Sequence, residues 1–406
     1  MKNCGFIWPR KVQEAVIPYI IEGYDIKCQS ETGTGKTAAY LIPIIDNLMK
    51  EKAKKGLSNE GPICVILAPT REIVEQIFQD AQKLNYGTDI SVAKAYGEIR
   101  IKDNLNELTK RCNILCACIG RLLNLMKHDH QEFDDLLLLD MKYLVIDEAD
   151  YFLTGPETQD IVTFLDHERL PPVNKRQNLY FSPTLRTEKL NLLADKYSNV
   201  KNMVLLTSSL ECNQRIKFFV EDVHFAKDKP KLLQKCIKNI IAENEGKCPR
   251  IMVFVNTKKT ANKVADDLKY ANFPATVIHS DFSQHRRDKT IAEFRKESSN
   301  CRILVSVNVV GRGIDVEEMD YVINYEIPNS HDSKYRFIQR CGRTGRTRPG
   351  TAITFYCKAN DKDMAPAIAS VLKNAQQLPE FFKNQVLTEG IEESLGQLSI
   401  NKKGNK

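Results

Sequence analysis

Three short stretches of this chain carry residue types that, at their spacing, could do phosphate chemistry. Ser30 to Thr37 reads SETGTGKT. In such a loop backbone N–H groups at a helix N-terminus face phosphate oxygens, and Gly33 and Gly35 permit the close turn. Lys36 brings charge to the terminal phosphates and Thr37 offers a hydroxyl to Mg²⁺. The strict pattern begins with glycine; Ser30 stands there and is small enough to be tolerated. Tyr143 to Asp150 reads YLVIDEAD, an apolar run ending in adjacent carboxylates. Such carboxylates divide the work of hydrolysis: Asp147 binds Mg²⁺ through water and Glu148 polarises the attacking water. Gln339 to Arg346 reads QRCGRTGR, with Arg343 and Arg346 about one helical turn apart, so both can point the same way. An arginine that reaches the terminal phosphate in the transition state is worth on the order of 10³ to 10⁵ in rate. Taken singly, each stretch has a bland reading: a chance glycine turn, the polar start of a loop, a basic helix face. Together they point to nucleoside triphosphate hydrolysis.

These residues need strands and helices to place them. Ile26 to Gln29 reads as a strand before the loop, and Ala38, Leu41, Ile42, Ile45 and Met49 mark one helical face after it. Further branched apolar runs, Ile63 to Leu67, Ile251 to Val255, Ile303 to Val307 and Tyr321 to Asn324, alternate with segments of helical period. That alternation predicts an α/β fold of mainly parallel sheets flanked by helices. At 406 residues, 42% hydrophobic and 27% charged, the chain has material for more than one core and too much apolar content for disorder. The polar turn of the sequence near Ser208 to Lys229 predicts a domain at 1–208, a linker at 209–228, a second domain at 229–386 and a polar tail at 387–406. No apolar run approaches the roughly 20 residues of a membrane helix, and no secretory signal core opens the chain, so an intracellular, membrane-free protein is expected. The 12 cysteines lie among apolar neighbours and read as reduced thiols. A net charge of +7 is compatible with a polyanionic partner and decides nothing alone.

The motifs in their order resemble the DEAD-box ATP-dependent RNA helicases of superfamily two, over nearly the whole chain. Gly5, Phe6, Pro9 and Gln13 resemble the adenine-reading Q motif, SETGTGKT motif I, and Pro69-Thr70-Arg71-Glu72 motif Ia. Asp147-Glu148-Ala149-Asp150 is the DEAD sequence itself, and Ser182-Pro183-Thr184 stands where the family has Ser-Ala-Thr. Val253 to Thr257 resembles motif IV, Gln284 and Arg287 the Q-x-x-R element, Arg312-Gly313-Ile314-Asp315 motif V, and QRCGRTGR motif VI. The resemblance implies two tandem RecA-like domains that clamp ATP, with Mg²⁺, and single-stranded RNA, and that locally open short duplexes. It assigns Phe6, Gln13, Ser30, Glu31, Thr32, Gly33, Thr34, Gly35, Lys36, Thr37, Gly313 and Asp315 to ATP, with Thr37 and Asp147 also serving the metal. Asp150, Ser182, Thr184 and Gln339 would couple the domains, and Pro69, Thr70, Arg71, Gly97, Gly120, Arg121, Gln284 and Arg287 would face RNA. Binding through phosphates and 2′-hydroxyls implies little base specificity. A monomer, with room for protein cofactors, is the expectation.

The departures from the family pattern fall mainly on the RNA side. Gly-Gly is Gly97-Glu98, Thr-Pro-Gly-Arg is Cys118-Ile119-Gly120-Arg121, and the Thr-Asp of motif V is Val307-Asn308. Cys118 and Val307 each lose a hydroxyl, roughly 0.5 to 1.5 kcal/mol apiece where it would bond a phosphate. Glu98 adds a carboxylate facing a polyanion. At about 4 Å that repulsion is roughly 4 kcal/mol for an effective dielectric near 20, and nearer 1 when solvent screens it. Pro183 removes a backbone donor at a coupling position, and Gln339 replaces the usual His while keeping a donor and an acceptor. The upstream aromatic that stacks on adenine in the family has no counterpart before Phe6; Trp8 is either its substitute or a core residue. These features predict an ATPase with intact phosphate chemistry and a weakened RNA grip. A non-catalytic scaffold and a superfamily-two DNA translocase are the competing readings.

Overall fold

The computed structural model describes residues 8–30, 34–57, 61–109, 112–127, 136, 138–154, 157–182, 188–207, 215–296, 299, 301–307, 319–328, 333–345 and 348–374. The chain divides into two compact units, Met1–Ser209 and Leu210–Lys406.

Among the described residues the first unit is built on seven strands, β1 (Asp25–Gln29), β2 (Cys64–Leu67), β3 (Val92–Ala95), β4 (Ile114–Ala117), β5 (Tyr143–Asp147), β6 (Gln177–Ser182) and β7 (Met203–Thr207). They form one parallel sheet in the order β3-β4-β2-β5-β6-β1-β7. Its helices are α1 (Lys11–Ile21), α2 (Lys36–Lys55), α3 (Arg71–Leu84), α4 (Ile101–Thr109), α5 (Ile119–Leu125), α6 (Ala149–Thr154), α7 (Thr158–Leu165) and α8 (Glu188–Tyr197). Successive strand residues point to opposite faces, so each central strand feeds two cores. Val65, Leu67, Leu144 and Ile146 pack with residues of α4 to α8, whereas Cys64, Ile66 and Val145 pack with residues of α1 to α3. This double burial is why the strands read as continuous apolar runs.

The expected apolar face of α2 needs one correction. Ala38, Leu41 and Ile45 are buried, but the seam continues through Ile44 and Leu48, and Met49 is 45% exposed. At about 100° per residue, Met49 has turned past the covered stripe.

The second unit has β8 (Ile216–Asp222), β9 (Ile251–Val255), β10 (Ala275–Ile278), β11 (Ile303–Val307), β12 (Tyr321–Asn324) and β13 (Gly350–Tyr356), parallel in the order β10-β11-β9-β12-β13-β8. Its helices are α9 (Lys229–Glu243), α10 (Lys258–Tyr270), α11 (Gln284–Arg295), α12 (Ser333–Cys341), α13 (Lys358–Asp361) and α14 (Ala365–Asn374). The linker expected at 209–228 is therefore too long, because residues 216–222 are a strand of the second sheet. Ile216, Phe218 and Val220 face the core while Lys217, Phe219 and Glu221 face outward. An edge strand of this kind looks charged in a composition window although every second side chain is buried. The tail at 387–406 lies outside the described residues.

Candidate functional site

In a parallel sheet all strands end on one edge, and ligands bind in the loops beyond those carboxyl ends. Most of the described candidate residues of the first unit lie at that edge. Ser30 and Thr34 to Lys36 follow β1, Glu148 to Asp150 follow β5 and Ser182 ends β6, three adjacent strands. Pro69 to Arg71 follow β2, Gly97 and Glu98 follow β3, and Cys118 to Arg121 follow β4, again three adjacent strands. Strand order thus separates the residues assigned to triphosphate from those assigned to RNA.

The phosphate loop is held from several sides. Ser30 donates its N–H to the Ser182 carbonyl at 3.1 Å, and the Ser30 and Thr34 hydroxyls are 2.6 Å apart. Gly35 is the N-cap of α2 in the left-handed region, φ 98°. Gln13 Nε2 donates to the Gly35 carbonyl at 3.2 Å, while its Oε1 accepts from Arg10 N at 2.9 Å. A methyl group on Gly35 would sit 2.6 Å from Gln13 Nε2. Glycine is needed there for backbone conformation and for space. Gln13 consequently braces the loop as well as standing in the position assigned to adenine. Trp8 is 82% exposed, which removes the core reading for it.

Behind the loop lies a buried charge cluster. Lys36 Nζ is 3.6 Å from Glu148 Oε1, and both side chains are almost fully covered. Burial pulls the Lys36 ammonium down, but the carboxylates of Glu148, Asp147 and Asp150 outweigh it and hold its pKa above the ordinary value. Burial, with Glu148 next door, raises Asp147 despite the attraction of Lys36. One ammonium against these acids leaves the cluster short of positive charge. Tyr40 donates to Asp147 Oδ2 at 3.0 Å. Tyr40 thus steadies one of the two residues expected to serve Mg²⁺. Glu148 N donates to Asp147 Oδ1 at 2.9 Å, and Glu148 holds a left-handed φ of 53° that aims it off the end of β5. Such a conformation in a non-glycine residue costs about 1 to 3 kcal/mol.

The cluster fits a metal triphosphate. Lys36 Nζ and Glu148 Oε2 are buried with no hydrogen-bond partner among the described residues. No set of three His, Cys, Asp or Glu side chains among those residues could cage a metal ion. Mg²⁺ suits such a place because it is usually held by one or two protein oxygens, water and phosphate.

Thr70 caps α3 by accepting from Ile73 N at 3.4 Å, which presents Arg71 at the first turn. Arg71 Nη1 donates to Glu98 Oε2 at 2.7 Å, and its guanidinium lies 4.9 Å from the centre of the Tyr96 ring. Cys118 occupies the N-cap of α5 and makes no side-chain cap, so the hydroxyl missing here also removes a helix cap. Arg121 Nη1 is buried without a hydrogen-bond partner among the described residues.

In the second unit Arg343 is buried, but the reading of Arg343 on a helix is corrected. Helix α12 ends at Cys341, and Arg343 lies in the turn after it, its N–H donating to the Arg340 carbonyl at 3.2 Å. Gly342 and Gly345 in the motif interrupt the helical period. The turn is pinned because the Arg343 carbonyl accepts from Met319 N at 3.0 Å and Thr344 Oγ1 donates to the Met319 carbonyl at 2.6 Å. Arg340, unassigned by the sequence, is the anchor below. It donates to the Glu326 carbonyl and, at 2.8 Å, to Asn256 Oδ1, and burial pulls its pKa down to about 9, still a cation at neutrality. Arg287 lies on α11 and Gln339 on α12. Val307 is the buried last residue of β11.

Phe6, Glu31, Thr32, Gly33, Pro183, Thr184, Asn308, Gly313, Asp315, Arg346 and the side chain of Gln284 lie outside the described residues. Tyr40, Tyr96 and Arg340 are the contributors that sequence reading passed over. Only Arg340 carried a signal, as a cation inside QRCGRTGR.

Comparison with known proteins places these features in a family context. The DEAD/DEAH box helicase model matches residues 10–193, and that of the helicase conserved C-terminal domain matches residues 228–348. The chain is 34% identical over 380 residues to a probable ATP-dependent RNA helicase DDX4 of Pelophylax lessonae, covering 92% of this chain and 50% of that protein. It is 32% identical to a probable ATP-dependent RNA helicase ddx3 of Dictyostelium discoideum, covering 95% of this chain and 53% of that protein. The chain therefore spans about half the length of these relatives. The solved DEAD-box helicase Mss116 bound to ssRNA and UDP-BeF superposes with a TM-score of 0.77 at 27% identity, over 94% of this chain and 78% of that one. No helix among the described residues is long and apolar enough to cross a membrane.

Proposed function

Because this chain belongs to the DEAD-box family of the DEAD/DEAH box helicases, we propose that it is an ATP-dependent RNA helicase acting as an RNA-stimulated ATPase on single-stranded RNA. The observation that carries the reading is the unsatisfied pair Lys36 Nζ and Glu148 Oε2, a buried cation and a buried acceptor at the end of β5.

Lys36 and the N-terminus of α2 bind the terminal phosphates, with Gly35 allowing close backbone approach. Thr37 and Asp147 are the residues that would hold Mg²⁺, which when bound offsets phosphate charge. Glu148 accepts a proton from the attacking water through Oε2. The left-handed backbone of Glu148 and the Tyr40 hydrogen bond to Asp147 keep the two carboxylates on separate tasks. Arg343, with Arg346, brings positive charge to the γ-phosphate, a contribution on the order of 10³ or more in rate. Gln13 reads adenine, and Asp315 the ribose. Ser182 reports nucleotide state through its backbone link to Ser30, together with Asp150, Thr184 and Gln339.

RNA is bound by Pro69, Thr70, Arg71, Gly97, Gly120 and Arg121 of the first unit and by Gln284 and Arg287 of the second. The grip is weaker than in a chain with the complete motifs, since Cys118 and Val307 lack hydroxyls and Glu98 adds a negative charge. The chain works as a monomer inside the cell. The deciding experiment is ATP hydrolysis with and without single-stranded RNA and DNA across a salt series, for wild type and Glu148→Gln. Turnover stimulated by RNA, lost in Glu148→Gln and falling steeply with salt, is expected. Wild-type turnover no greater than that of Glu148→Gln would overturn the enzyme reading in favour of a scaffold.

A further inference from the structure

We propose that Glu98 is an internal stand-in for an RNA phosphate, its carboxylate holding the guanidinium of Arg71 until the nucleic acid displaces it. This rests on the RNA reading given above and adds to it a competitor built into the chain.

The geometry is that of a prepared anion site already filled. Arg71 projects from the first turn of α3 and lies against the Tyr96 ring, 4.9 Å from its centre. Tyr96 is in turn held by Glu75, which accepts from its hydroxyl at 2.9 Å and from Lys94 at 2.7 and 2.9 Å. A guanidinium over a fixed ring has lost part of its freedom, and its planar donor fork recognises carboxylate and phosphate alike. Glu98 Oε2 accepts from Arg71 Nη1 at 2.7 Å. Glu98 reaches it from a left-handed backbone position, φ 72°, where the family pattern has glycine. The pair is open to solvent, with side-chain exposures of 32% for Arg71 and 60% for Glu98. An exposed pair is weak and screened by salt, so a polyanion with several other contacts can displace it. The carboxylate thus tunes RNA binding through one named partner, a different effect from general repulsion.

The test is a double-mutant cycle on binding of a short oligouridylate in the presence of an ATP analogue, using wild type, Glu98→Gln, Arg71→Ala and the double variant. Capture predicts that Glu98→Gln binds roughly two- to fivefold tighter, the range of an exposed ion pair. Its log–log salt dependence should steepen by about 0.7, one extra cation released to a single strand. Arg71→Ala should weaken binding little in wild type and severalfold more in the Glu98→Gln background. Equal losses from Arg71→Ala in both backgrounds would overturn the proposal while leaving the RNA reading intact. Absence of oligouridylate binding in all four proteins would overturn both.

Discussion

Lys36 Nζ lies 3.6 Å from Glu148 Oε1, at the meeting of the phosphate loop after β1 and the carboxylates after β5. β6 lies between those strands in the sheet, so the contact is made beyond its end, where Ser182 also reaches the loop. The ammonium that is to hold phosphate thus also faces the hydrolytic carboxylates, and phosphate binding and hydrolysis separate by mutation. Glu148→Gln should reduce ATP turnover about 10²- to 10⁴-fold with nucleotide affinity nearly unchanged. Lys36→Ala should lose nucleotide affinity and, by stranding buried carboxylates, destabilise the first unit by about 3 to 5 kcal/mol in denaturant titrations.

Tyr40→Phe removes the hydroxyl that donates to Asp147 Oδ2 in a fully buried setting. A loss of about 1 to 3 kcal/mol in unfolding free energy is expected. A higher Mg²⁺ requirement for turnover should accompany it, measured by titrating the metal at saturating ATP. An unchanged metal requirement would remove Tyr40 from the site.

Gly35→Ala forces a side chain into a φ of 98° and against Gln13. Left-handed backbone costs roughly 1 to 2 kcal/mol for an L residue, so nucleotide affinity should fall about tenfold. Equilibrium binding of a fluorescent ATP analogue reads this directly.

The arginines of QRCGRTGR should part company. Arg340→Ala removes the tie to Asn256 and to the Glu326 carbonyl, so the second unit should lose about 3 kcal/mol of stability. Arg343→Ala should lower ATP turnover on the order of 10³-fold with the second unit still folded. Thermal unfolding and turnover measured on the same samples separate the two roles.

His279, packed on Phe282 at 4.1 Å and bonded to Asn262 at 3.1 Å, supplies a pH dependence. Burial, aided by Lys258 and Arg286 and opposed by Asp281, lowers its pKa below the ordinary 6.5. The folded state therefore binds that proton less readily than the unfolded chain. Its contribution to stability is complete above pH 6.5 and is lost as pH falls through the lowered value. Urea midpoints taken from about pH 8 down to about pH 5 should drop in wild type and drop less in His279→Gln.

Much of this molecule was legible in order along the chain. The loop SETGTGKT, the run YLVIDEAD and the alternation of apolar strands with helices each depend on residues close in sequence, and local periodicity is what backbone geometry dictates. The parallel sheets, the place of Gly35 at a helix start and Asp147 at a strand end follow from those patterns. Composition misled at residues 216–222, where an edge strand with alternate residues buried has the average polarity of a linker. Spacing misled at Arg343, where two arginines three residues apart were read as one helical turn although Gly345 lies between them and α12 ends at Cys341.

Only the tertiary structure decided which charges meet. That Tyr40 bonds Asp147, that Arg71 is taken by Glu98 and backed by Tyr96, and that Arg340 braces the second unit all depend on strand order and on backbone angles at single residues. Sequence spacing carries no record of such contacts. They join residues 14 to 107 positions apart, and their energies turn on distances of a few ångströms and on how much water is excluded.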